Sequence, residues 1–207
     1  VYHNNEWIYG YRENDRLGGV DPYSSSKAAA ELAINAWKNS FSKNSDLLIS
    51  SARAGNVIGG GDYAKDRLIP DIFRSIQENK VLNIRNPKST RPWQHVLDPL
   101  WGYILLAEKM DKHYSFSDCY NFGPELNSNR SVQDVVDAFS KIKKIKYKVY
   151  SPTEQFKESK LLHLVSEKAK KALNWKPIWD FEKTIHRTAS WYIKAKNNIA
   201  NEFSLCM

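Results

Sequence analysis

Polar and apolar positions divide the chain into helical and extended segments that alternate. In residues 21–41, Ala29, Ala33, Ala36 and Trp37, with Leu32, repeat at helical spacing and make an apolar stripe. Asp21-Pro22 supplies the start, an aspartate N-cap followed by a proline at the first helical position, where a missing N–H costs nothing. Residues 47–52, Leu-Leu-Ile-Ser-Ser-Ala, form a short apolar run that reads as a buried parallel strand. It leads into a glycine-rich loop over residues 53–62, and open α/β sheets bind ligands at such strand ends.

Further along, the pattern predicts a helix over residues 68–78 and a strand over 81–84. Leu97, Leu100, Trp101, Ile104 and Leu105 mark a second long helix over residues 96–110. Residues 119–122 are a strand candidate closed by the breaker Gly123-Pro124. Ser131 caps a helix running to residue 142, and residues 146–150 alternate like a strand. Short and long helices follow over 167–173 and 181–196, separated by Trp175-Lys176-Pro177. Residues 1–20, polar and aromatic with Gly10, Gly18 and Gly19, read as an ordered loop. This order is an α/β arrangement lacking a first half of successive parallel strands.

Composition sharpens this picture. A chain of 207 residues, 42% hydrophobic, with 7 Trp, 11 Tyr and 8 Phe, fills a core and excludes general disorder. A net charge of +8 raises the question of nucleic acid. The lysines gather at Lys141, Lys143, Lys144, Lys146 and Lys148 and at Lys168, Lys170 and Lys171, on segments whose polar faces read as solvated, so no nucleic-acid partner is expected. Cys119 and Cys206 lie far apart and the five histidines have no ligand spacing, so neither a disulfide nor a metal is expected. No membrane span and no signal peptide are read, which suggests a cytoplasmic protein. The opening Val1-Tyr2-His3 lacks an initiator methionine, and the expectation is a chain that starts inside a longer reading frame.

The sharpest motif is Tyr23-Ser24-Ser25-Ser26-Lys27, whose spacing sets both side chains on one helix face. A tyrosine hydroxyl, with an ordinary pKa of about 10, is a poor base at neutral pH, and a neighbouring ammonium favours the phenolate. The pair could therefore exchange a proton with a sugar alcohol. The spacing alone also describes a packed tyrosine beside an exposed lysine.

Four blocks supply context: Tyr9-Gly10-Tyr11-Arg12-Glu13 through Gly18-Gly19-Val20-Asp21-Pro22 to Glu31; Arg53-Ala54-Gly55-Asn56-Val57-Ile58-Gly59-Gly60-Gly61-Asp62; Asp66-Arg67-Leu68-Ile69-Pro70-Asp71; and Arg91-Pro92-Trp93-Gln94-His95-Val96. In order and spacing the chain resembles the CDP-glucose 4,6-dehydratase family, within the extended short-chain dehydrogenase/reductases. The resemblance implies an incomplete Rossmann-like parallel sheet, its second half, with a smaller mixed α/β substrate-binding region. Residues 1–66 would be the remainder of the NAD-binding domain with the Tyr-Lys helix, and residues 67–207 mainly the substrate region, with the chain crossing between them. It implies NAD as cofactor and CDP-glucose as substrate, and a homodimer through the long helices near Tyr23 and Val96.

It also implies roles. Tyr23 would take the proton of the sugar 4-hydroxyl while NAD oxidises C4, and Lys27 would tune Tyr23 and bind the nicotinamide ribose. Water would then leave across C5 and C6, and the electrons would return to C6. Asn56 and Arg91 would meet the diphosphate, and Arg67 and Leu68 open a helix whose free N–H groups suit an anion. A surface Arg67 and a loop-capping Asn56 remain alternatives. Arg85 would bound the nucleotide pocket, or simply be exposed, and His95 reads as a structural hydrogen-bonding residue.

Departures from the family are informative. The acid/base pair for dehydration belongs to a segment before Val1, and no G-x-G-x-x-G frame is present, since Gly59-Gly60-Gly61 lies in the wrong half of the fold. Val165 stands where an aspartate is usual, and Asn174 replaces a glycine at a helix end. The expectation is a fragment inactive by itself. Another nucleotide-sugar epimerase or dehydratase, or a non-catalytic truncated binding module, remains the alternative reading.

Overall fold

The computed structural model describes residues 1–42, 47–150 and 160–195. Cys206 and Lys196, the expected end of the last helix, lie outside them. The elements run α1 (Pro22–Phe41), β1 (Ser51–Ala54), β2 (Val57–Ile58), α2 (Leu68–Gln77), β3 (Leu82–Ile84), β4 (Thr90–Pro92), β5 (Gln94–His95), α3 (Leu97–Lys112), β6 (Cys119–Phe122), β7 (Asn129–Ser131), α4 (Val132–Ile142), β8 (Tyr147–Val149), α5 (Glu167–Leu173) and α6 (Phe181–Ala195). Three strand pairs are parallel, β1 with β6, β2 with β5 and β3 with β8. The fourth, β4 with β7, is antiparallel. Each parallel partner is reached by a crossover containing at least one helix, as parallel pairing requires.

Local chemistry explains the helix ends. Asp21 accepts from the Ser24 backbone N–H at 2.9 Å, and Pro22 follows it. Ser131 and Asp134 form a reciprocal capping box on α4. Asn174 ends α5 in the left-handed conformation, φ 56°.

The first strand sits later than its apolar run predicts, at Ser51–Ala54. Its ladder begins where β6 begins, with Ser51 opposite Cys119. Upstream of that point Ile49 N–H donates to the Ser117 hydroxyl at 3.2 Å, so a side chain replaces the ladder there. Strands β2, β4, β5 and β7 have no counterpart among the predicted elements. They are two or three residues long and carry no alternation to read.

The largest core gathers Ile58, Ile72, Ile84, Trp93, Val136, Phe139 and Ile185 between α2, α4, α6 and the strands. A second joins Phe122, Leu173 and Trp175, and a third joins Tyr2, Tyr11 and Leu164. The stripes of the two long helices face outward instead. On α1 only Ala28 and Glu31 are buried, while Leu32 and Trp37 are exposed. On α3, Asp98, Pro99, Gly102 and Leu106 are buried, while Leu97, Leu100, Trp101 and Ile104 are exposed. The lysines of the 141–148 run are exposed. In the second run Lys168 pairs with Asp118 and Lys170 with Glu125, while Lys171 is exposed. Among the described residues no helix is long and apolar enough to cross a membrane.

Candidate active site

Tyr23 and Lys27 project from the first turns of α1, with the Lys27 Nζ 5.8 Å from the centroid of the Tyr23 ring. Tyr23 is 72% exposed, and neither its hydroxyl nor the ammonium hydrogen-bonds another described residue. The turn beneath them is fixed by hydroxyls. Ser24 Oγ donates to Asp21 at 2.6 Å, Ser25 Oγ to the Gly19 carbonyl at 3.0 Å, and Ser26 Oγ to the Tyr23 carbonyl at 2.8 Å. The bonds from Ser24 hold the Asp21 carboxyl below its ordinary value.

The segments that hold Asn56 and Arg91 meet through backbone contact. The Asn56 carbonyl accepts from Gln94 N–H at 3.1 Å. A Cβ at Gly55 would lie 2.7 Å from Pro92 Cγ, so only glycine allows this approach. The Asn56 amide is half-buried and unbonded among the described residues. Arg91 Nη1 donates to the Thr90 carbonyl at 2.8 Å, and Arg130 stands directly across the β4–β7 ladder from it. A second arginine beside a diphosphate candidate was not read from sequence, because the pairing of β4 with β7 has no local signal.

Leu68 and Ile69 open α2, and no side chain caps that end. Pro70 has no N–H, so the amides of Leu68 and Ile69 are its available donors. Arg67 is exposed and pairs with Asp62 at 3.1 Å. Arg85 follows β3 and is exposed, without a partner among the described residues. The ends of α2, β2, β3 and β4 all border the largest core, through Ile69, Ile58, Ile84 and Trp93.

Two predicted features are structural. Gly60 lies under the Trp191 indole, where a Cβ would come within 2.1 Å of the ring, so the Gly59-Gly60-Gly61 loop receives α6. His95 is buried, its Nδ1 accepts from Leu97 N–H at 3.3 Å, and its ring meets Trp179 edge-on at 4.4 Å. Burial and then the nearby Arg187 push the imidazole down to about 4. Val165 packs its side chain toward Gly10, and its N–H donates to the Tyr11 carbonyl at 2.9 Å.

A buried polar cluster behind the Tyr-Lys helix was also missed. Arg53 Nη2 donates to Glu31 Oε2 at 2.6 Å and Nη1 to the Tyr2 hydroxyl at 2.8 Å. Tyr2 in turn donates to Asn121 Oδ1 at 2.6 Å. Burial pushes the Tyr2 phenol up to about 12. For Arg53, burial works against the charge, yet the bonds to Glu31 and Tyr2 outweigh it and hold the group above its ordinary value. The available signals were an arginine directly after an apolar strand run and a glutamate one turn beyond Lys27.

An α/β chain of parallel strand pairs with an exposed Tyr-x-x-x-Lys helix fits the class of Rossmann-like epimerases and dehydratases. Solved structures agree on the fold. An epimerase from Methanothermobacter thermautotrophicus superposes with TM-score 0.79 at 22% identity, over 96% of this chain and 58% of that one. A dTDP-glucose 4,6-dehydratase from Bacillus anthracis, solved in complex with NAD, gives 0.74 at 23% identity over 95% and 59%. The family model for GDP-mannose 4,6 dehydratase matches residues 4–188, and the chain belongs to that family. It is 44% identical over 198 residues to a CDP-glucose 4,6-dehydratase of Salmonella typhimurium, covering 92% of this chain and 55% of the relative. The chain thus spans about half the length of the curated relatives it matches.

Proposed function

We propose that this chain is the catalytic-helix and substrate-binding part of an NAD-dependent CDP-glucose 4,6-dehydratase, a cytoplasmic lyase that works as a homodimer and yields CDP-4-keto-6-deoxyglucose. The observation that carries this reading is the exposed Tyr23 hydroxyl, unbonded among the described residues, with the Lys27 ammonium above its ring. Similarity to a CDP-glucose relative supports the cytidine-linked substrate over other nucleotide sugars. Within the chain, residues 1–66 would complete the cofactor domain and residues 67–207 would mainly hold the substrate.

Tyr23 Oη takes the proton of the sugar 4-hydroxyl. Lys27 Nζ, 5.8 Å from the centre of the Tyr23 ring, offers donors to a cofactor ribose. Among the described residues neither polar tip has a hydrogen-bond partner, which fits them to meet these two groups. NAD, when bound, would supply the oxidant for C4 and the electrons that C6 takes up once water has left. The Asn56 amide donates to a diphosphate oxygen, and Arg91 neutralises the same group with a planar fork. The first-turn amides of α2 at Leu68, with Arg67 at its edge, add donors for the nucleotide portion. Arg85, at the end of β3, bounds that side of the pocket.

The test uses the full-length protein. Tyr23→Phe should abolish formation of the 4-keto product while NAD stays bound, and titration of this variant should give tighter binding of CDP-glucose than of UDP- or dTDP-glucose. Normal turnover by the variant would remove Tyr23 from the chemistry. Equal binding of the three sugars would remove the cytidine assignment.

A further inference from the structure

Helix α1 buries only Ala28 and Glu31 against the rest of the described chain. Within the described chain the deepest side-chain contact of this helix is therefore polar, through the Glu31 carboxylate. Glu31 lies one helical turn beyond Lys27 and two beyond Tyr23, so its depth is transmitted directly to both. Its carboxylate accepts from Arg53 Nη2 at 2.6 Å and from Ser51 Oγ at 2.8 Å.

Arg53 is 8% exposed and reaches three segments at once. Besides Glu31, Nη1 donates to the Tyr2 hydroxyl at 2.8 Å and to the Glu13 carbonyl at 3.1 Å. Asn121, fully buried on β6, extends the cluster, accepting from Tyr2 and donating to the carbonyls of Tyr11 at 2.9 Å and Val165 at 3.2 Å. Arg53 also belongs to β1, which ends one residue later and passes through Gly55 to Asn56.

We propose that Arg53 and Glu31 are positioning residues, which set the distance between the proton acceptor on α1 and the diphosphate ligand Asn56. The inference rests on the reading of Tyr23 as the proton acceptor. A guanidinium fork fixes direction as well as distance, which an apolar contact does not. Burying an ion pair is also a poor way to gain stability, because desolvation cancels most of the attraction and apolar replacements of similar volume are often tolerated. Geometry is what such a replacement would lose.

The decisive variant in the full-length, NAD-loaded protein is therefore the double substitution Glu31→Leu/Arg53→Met, with Tyr23→Phe as control. It should fold with a cooperative melt and keep its bound NAD, with KM for CDP-glucose within about threefold of the parent. Its kcat should fall ~100-fold, the scale expected when a reacting group is displaced by about 1 Å. Arg53→Lys keeps the charge without the fork and should lose kcat ~10-fold at unchanged KM. If Tyr23→Phe is inactive while either folded variant turns over at the parent rate, the positioning role is overturned and the catalytic reading stands. If Tyr23→Phe is itself active, the catalytic reading is what falls.

Discussion

His95 belongs to the Arg-Pro-Trp-Gln-His block, yet its ring points inward against Trp179 and its Nδ1 serves the start of α3. Burial, reinforced by Arg187, lowers the folded-state value to about 4 from an ordinary 6.5. Between those values the unfolded chain binds a proton that the folded chain refuses, so stability is complete above pH 6.5 and declines as pH falls toward 4. The decline should amount to about 3 kcal/mol. Urea titrations across that window should show it in the parent and a flatter profile in His95→Gln; equal slopes would exclude His95 as the source. At this scale the sequence was legible wherever the cause was local. Asp21 and Ser131 act on backbone groups within a few residues and are read from their neighbours, and Asn174 is legible as a substitute for glycine that tolerates a left-handed helix end. Glu31 and Arg53 were not, since a charge becomes buried only when its helix meets a distant strand.

Helix α1 illustrates the same divide among elements. Its limits follow from Asp21-Pro22 and its composition, but its attachment does not follow from its apolar stripe. Beyond Glu31, the helix is tied at its far end by Lys38, 3.3 Å from Asp118, which also pairs with Lys168 of α5 at 2.6 Å. Burial alone would raise the Asp118 carboxyl, but the bond from Lys168, the Cys119 N–H and the Lys38 charge outweigh it and bring it down to about 2. The stabilisation is therefore complete above pH 3.8 and is lost as pH falls through about 2. Asp118 is 43% exposed, and with solvent screening its loss should cost about 1 kcal/mol. Asp118→Asn should show that deficit at pH 7, shrinking as pH is taken from 4 toward 2 and as salt is raised. A deficit independent of both would assign the effect to packing. Strand pairing was the least legible feature, because β4 and β7 are three residues each and meet only through the intervening fold.

For the molecule as a whole, the outward stripes are the principal unsatisfied feature. Leu32, Trp37 and Phe41 on α1 are 60%, 58% and 52% exposed, and Leu97, Leu100, Trp101 and Ile104 on α3 are 50%, 44%, 46% and 60%. Single exposed apolar residues are ordinary on a protein surface, but rows of large ones along two helices mark surfaces that associate. A helix with a buried ion pair on one side and an apolar stripe on the other is built to be covered on both. If a second copy covers these stripes, the full-length protein should sediment as a dimer at micromolar concentration. Trp37→Glu combined with Trp101→Glu should then convert it to a monomer with unchanged helical circular dichroism, because a charge on an isologous interface is met twice. Persistence of the dimer in that variant would place the dimer contact on another surface. The site would then owe the placement of Tyr23 to its own polypeptide alone, through Glu31 and Arg53.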